Sequence, residues 1–134
     1  MTKTTYAILL VDDDKSWQHI NKIVLGKFGF HMDTASTKDE ALEKIQRTEY
    51  EIAVIDLRLV DEDQSNFDGI EIIKELYKKH PNTRVLVKSG YLSSDIEIEL
   101  KSLGIGKENI FDKATTNKEL AERINKIHQE IKPA

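Results

Sequence analysis

Five apolar runs rich in β-branched residues alternate along the chain with segments whose apolar positions recur at helical spacing. The runs are YAILLVD (residues 6–12), FHMDTA (30–35), EIAVIDL (51–57), RVLVKS (84–89) and the short NIFD (109–112). The first, third and fourth are apolar enough to be buried on both faces, as central strands of a parallel sheet are. Strand followed by helix, five times over, predicts a single doubly wound α/β domain: a five-stranded parallel sheet covered on both sides by five helices.

The helical segments carry their own signals. Trp17, Ile20, Ile23, Val24 and Phe28 fall on one stripe, which predicts a first helix buried along that stripe and closed by Gly29. Thr37 with Glu40, Ser94 with Glu97 and Thr116 with Glu119 have the spacing of capping boxes, and Asp14 is placed to cap the first helix. These caps precede apolar stripes at Ala41, Leu42 and Ile45, at Ile96, Leu100 and Leu103, and at Leu120, Ile124, Ile127 and Ile131. Ile73, Leu76, Tyr77 and His80 mark the third helix, which Pro81 stops. The one long irregular stretch, VDEDQSNFD at 60–68, is acidic but lacks calcium-loop spacing and reads as a solvated turn.

Composition narrows the function classes. At 134 residues the chain has room for one domain, so residues 1–134 are expected to form it with no output domain attached. The tail at 132–134 is either a natural end or the start of a linker. With 24 acidic against 20 basic side chains the net charge is −4, which argues against a surface built to bind nucleic acid directly. The absence of cysteine excludes disulfides, thiolate metal sites and cysteine nucleophiles, and suits a cytoplasmic location. The longest apolar stretch, residues 6–11, is far below the ~20 residues of a membrane span, and the N-terminus lacks the pattern of a signal peptide.

In an open parallel sheet, ligands bind beyond the carboxyl ends of the strands. Those ends are polar here. The first strand runs into Asp12, Asp13 and Asp14, the third presents Asp56, the fourth ends in Ser89 and Gly90, and the fifth leads to Lys113. Carboxylates pressed together repel one another unless a cation sits among them, and a hard divalent ion such as Mg²⁺ suits Asp12, Asp13 and Asp56. An aspartate beside such an ion can attack phosphorus, with the Ser89 hydroxyl and the Lys113 ammonium meeting charge on the transferred oxygens.

These residues resemble the receiver domains of two-component response regulators over nearly the whole chain. The family's acid pair resembles Asp12 and Asp13 in LLVDDD, its phosphoacceptor Asp56 in AVIDLRL, its hydroxyl residue Ser89 in VLVKSG and its lysine Lys113 in FDKA. The resemblance implies the flavodoxin-like sheet order 2-1-3-4-5. It also implies Mg²⁺ held by Asp12, Asp13, Asp56 and the backbone carbonyl of Arg58, and phosphoryl transfer to Asp56 from a sensor histidine kinase or a histidine phosphotransfer protein. The expected product is an altered surface for an unidentified target, on a monomer or a phosphorylation-dependent dimer. The expected chemistry is that of a phosphoacceptor switch, with self-catalysed phosphorylation and dephosphorylation only. The chain departs from the family in three places. Gly69 follows Asp56 by 13 residues, a longer interval than usual, Ala114 stands where a proline commonly follows the lysine, and Ile110 stands where many members carry an aromatic ring.

Two other readings stay open at this level. A degenerate receiver would be a binding module that never becomes phosphorylated. A phosphohydrolase of the haloacid dehalogenase type would use Asp12 and Asp14 as its nucleophile motif. The four histidines show no metal-ligand spacing among themselves, so surface or helix-end roles are expected of His19, His31, His80 and His128.

Overall fold

The computed structural model describes residues 7–57, 68–89, 94–112 and 115–131. Arg58, Gly90, Lys113, Ala114 and most of the acidic stretch at 60–68 lie outside them. Five strands, β1 (Ala7–Val11), β2 (His31–Ala35), β3 (Ile52–Asp56), β4 (Arg84–Lys88) and β5 (Ile110–Phe111), alternate with five helices. The helices are α1 (Lys15–Gly26), α2 (Lys38–Arg47), α3 (Asp68–Lys79), α4 (Ser94–Ser102) and α5 (Asn117–Ile131). All strands are parallel in the order β2-β1-β3-β4-β5, as the resemblance implied.

Alternation of side chains along the strands divides the core in two. Leu9, Val11, Ala53, Ile55, Val85 and Val87 face α2, α3 and α4, where Ala41, Ile45, Ile73, Leu76 and Leu100 meet them. Ile8, Leu10, Ile52, Val54 and Leu86 face α1 and α5, against Leu25, Leu120, Ile124 and Ile127. Both layers are closed to water, which is why β1 and β3 read as continuous apolar runs.

Helix ends follow the sequence signals closely. The Asp14 carboxylate accepts the Trp17 N–H at 3.1 Å. Thr116 and Glu119 form a reciprocal box, Thr116 N–H donating to Glu119 at 2.8 Å and Glu119 N–H to the Thr116 hydroxyl at 3.1 Å. Thr37 caps α2 in the same way, although Glu40 reaches back to the N–H of Ser36. Beyond α1 the chain tightens through Phe28 N–H to Leu25 carbonyl and Gly29 N–H to Gly26 carbonyl, ending at Gly29 with φ +88°.

Two expectations need correction. The buried side of α1 is Gln18, Asn21 and Leu25, whereas Ile20, Ile23 and Phe28 are 44–52% exposed. The polar pair is tolerated inside because each amide NH₂ group is hydrogen-bonded: Gln18 Nε2 to the carbonyls of Asp12 and Ala35, and Asn21 Nδ2 to Trp17 carbonyl and Asn117 Oδ1, which leaves Asn21 Oδ1 as the one buried amide atom of the pair without a partner among the described residues. His128 sits in the last turn of α5, the helix-end place expected of it, but it is buried there, its Nδ1 3.1 Å from Glu51 and its ring edge-on to Phe30. Asp68 is the first residue of α3 rather than the last of a loop.

Candidate functional site

The carboxyl ends of β1, β3 and β4 set the chemistry in one row. Leu10, Val54 and Leu86 share the face toward α1 and α5, and two residues further along lie Asp12, Asp56 and Lys88. Asp56 pairs with Lys88 in the β3–β4 register, so the strand of the central carboxylate is flanked by one that leads to an acid and one that ends in a lysine.

Asp12, Asp13 and Asp56 each offer a carboxylate oxygen, and these oxygens all lie within 4.8 Å of one another. Asp12 and Asp56 are buried and Asp13 is exposed, so the cluster opens to solvent on one side. Hard oxygen donors at this spacing fit a hard divalent cation, which prefers carboxylates and keeps its waters on the open side.

The pocket is held by its neighbours. Asp12 Oδ1 accepts the Asp14 N–H at 2.9 Å, and the Asp12 N–H donates to the Ala35 carbonyl at 3.0 Å. Gln18 ties the Asp12 carbonyl to the end of β2, reaching Ala35 and Ser36. Leu57 N–H donates to the Lys88 carbonyl at 3.1 Å and fixes the chain just after Asp56. Ser89 is buried at the end of β4, its N–H donating to the Phe111 carbonyl at 2.9 Å.

Sequence reasoning placed Asp12, Asp13, Asp56 and Ser89 at strand ends, and the structure brings the three acids together. Lys113 and the Arg58 carbonyl lie outside the described residues. The sequence reading missed two participants. Lys88 Nζ lies 2.6 Å from Asp12 Oδ2 and 4.2 Å from the centre of the Trp17 ring. Its signal was a lysine closing an otherwise apolar strand, RVLVK. Gln18 left no such mark, because a buried amide on a helix looks like a surface one until its carbonyl partners are known.

Beside the acids a cleft of about 510 Å³ is lined by Asp13, Asp14, Trp17, Lys88 and the start of α5 at Thr115, Thr116 and Asn117. Among the described residues no helix is long and apolar enough to cross a membrane.

The family described as "Response regulator receiver domain" matches residues 8–125. The transcriptional regulatory protein ZraR of Klebsiella oxytoca is 34% identical over 96 residues, which are 71% of this chain and 20% of that protein. The chain thus spans about a fifth of that relative's length. A CheY-like response regulator receiver domain protein from Methanospirillum hungatei superposes with a TM-score of 0.82 at 25% identity, covering 96% of this chain and 98% of that one. The beryllofluoride-activated NtrC4 receiver domain dimer gives 0.79 at 25% identity, covering 96% of this chain and all of the other, 100%.

Proposed function

This chain belongs to the family of response regulator receiver domains, and from that premise we propose that it is a Mg²⁺-dependent switch whose phosphoacceptor is Asp56. The observation that carries this reading is the convergence of Asp12, Asp13 and Asp56 oxygens within 4.8 Å at the carboxyl ends of adjacent strands. A lone acid pair at a helix start would be explained by the helix dipole, but a third acid from a separate strand is not.

Asp12, Asp13, Asp56 and the backbone carbonyl of Arg58 would hold the ion, which when bound offsets negative charge on the transferred phosphoryl group. A carboxylate oxygen of Asp56 attacks the phosphorus of a phosphohistidine on a histidine kinase or phosphotransfer protein. The new P–O bond forms as the P–N bond breaks, and the departing imidazole nitrogen keeps the electron pair. The Ser89 hydroxyl donates to one phosphoryl oxygen and the Lys113 ammonium to another. Hydrolysis of the acyl phosphate by water returns Asp56 and resets the switch. Turnover of an independent substrate is not required of such a site. The phosphorylated surface then binds its target or a second copy, as the activated NtrC4 receiver pairs with itself. A reducing cytoplasm fits the cysteine-free chain.

Incubation with acetyl phosphate tests the bond and the metal together. The reading expects a phosphoprotein that forms with Mg²⁺, fails to form with excess chelator, and loses its phosphate to hydroxylamine, which cleaves acyl phosphates. A phosphate that forms equally well under chelation, or that resists hydroxylamine, contradicts it.

A further inference from the structure

Lys88 occupies an unusual place. It closes a strand whose other end is solvent-facing and whose middle is apolar, yet its side chain is only 14% exposed. Because β3 lies between β4 and β1, the side chain passes over the strand that carries Asp56 to reach Asp12 on the far side. Its ammonium is held there by Asp12 Oδ2 at 2.6 Å and by the face of Trp17 at 4.2 Å. An ammonium over an aromatic face and against a buried carboxylate satisfies both charges without a metal.

We propose that Lys88 is a resident cation of the acid pocket which competes with Mg²⁺ for Asp12 and so sets how tightly the pocket takes the metal. The proposal rests on the reading of Asp12, Asp13 and Asp56 as the metal pocket. A divalent ion and an ammonium held against the same carboxylate repel each other. Metal entry therefore loosens the ammonium's hold on Asp12, and the affinity is reduced by that repulsion and by whatever the Lys88–Asp12–Trp17 contact loses. Without the metal, the same contact offsets the repulsion among the three acids. Trp17 is the chain's only tryptophan, so all tryptophan emission comes from the ring that this ammonium covers.

The test is Mg²⁺ titration of the full chain at fixed ionic strength, followed by Trp17 emission and by calorimetry, in wild type, Lys88→Met, Lys88→Gln and Lys88→Arg. Removing the charge is expected to tighten Mg²⁺ binding by roughly fivefold or more, with Lys88→Arg staying near wild type. Wild-type Trp17 emission should change with the same midpoint that calorimetry gives, and this response should be lost in Lys88→Met. Unchanged or weaker Mg²⁺ binding in both neutral variants overturns the proposal while leaving the metal reading intact. A wild type that takes up no Mg²⁺ overturns both. Should neither neutral variant fold, acylation of wild-type Lys88 by acetic anhydride, read by mass spectrometry, decides: Mg²⁺ should raise it, and no rise overturns the competition.

Discussion

The first turn of α3 rests directly on the peptide that follows Asp56. A Cβ added at Gly69 would lie 2.5 Å from the Cα of Leu57 and 2.6 Å from the Asp56 carbonyl oxygen, while the Gly69 N–H donates to the Leu57 carbonyl at 3.1 Å. The neighbours here are backbone, which cannot swing aside as a side chain can. Gly69→Ala is therefore expected to cost about 2 kcal/mol by overpacking and to displace the strand end that carries Asp56. Urea melts should show the lower midpoint, and phosphorylation by acetyl phosphate should slow. Wild-type stability in the variant would contradict this reading of the contact.

The two acids after β1 should behave oppositely in the absence of metal. Asp12 is buried and paired with Lys88, so Asp12→Asn leaves an ammonium with 14% exposure without its counter-charge and is expected to cost about 3 kcal/mol. Asp13 is exposed and adds to the repulsion, so Asp13→Asn should raise stability slightly. Mg²⁺ should raise the melting temperature of the wild type and do so much less in Asp13→Asn. Thermal melts in chelator and in saturating Mg²⁺ check all three, and a fall for Asp13→Asn in chelator would count against the cluster as a site of repulsion.

Alkaline stability should depend on Tyr50. Its hydroxyl is buried and donates to Asp33 at 2.6 Å, and burial first, then Asp33, push its pKa well above the ordinary 10.0. The folded chain keeps this proton where the unfolded chain releases it. Stability is thus fully present below about pH 10 and falls as pH rises above that value. Tyr50→Phe should lose about 1 kcal/mol at neutral pH with the hydrogen bond, yet show a shallower alkaline decline. Burial raises the Tyr77 pKa as well, so part of the decline should remain. Urea midpoints at pH 8, 10 and 11 measure it, and parallel declines in both proteins would rule Tyr50 out as a contributor.

The strands were legible because parallel central strands are apolar throughout, a pattern no surface segment imitates. Caps were legible because Asp14, Thr37 and Thr116 act within four residues of themselves. The orientation of α1 was not, since hydrophobicity ranks Ile20 and Ile23 above Gln18 and Asn21. Inside, the two amides win because Gln18 satisfies carbonyls at the strand ends and Asn21 bonds Asn117 at the start of α5, long-range benefits without local signature. The same holds for Lys88 and for His128, whose partners Asp12 and Glu51 are 76 and 77 residues away. The acid cluster was readable, by contrast, because the topology of a parallel sheet delivers every strand's carboxyl end to one edge.

The most direct test of the central claim is the intact mass of the chain after incubation with acetyl phosphate and Mg²⁺, beside Asp56→Asn treated identically. The account predicts one added phosphoryl group on the wild type and none on the variant. Equal phosphorylation of Asp56→Asn, or no gain of mass by a folded wild type that binds Mg²⁺, would contradict it.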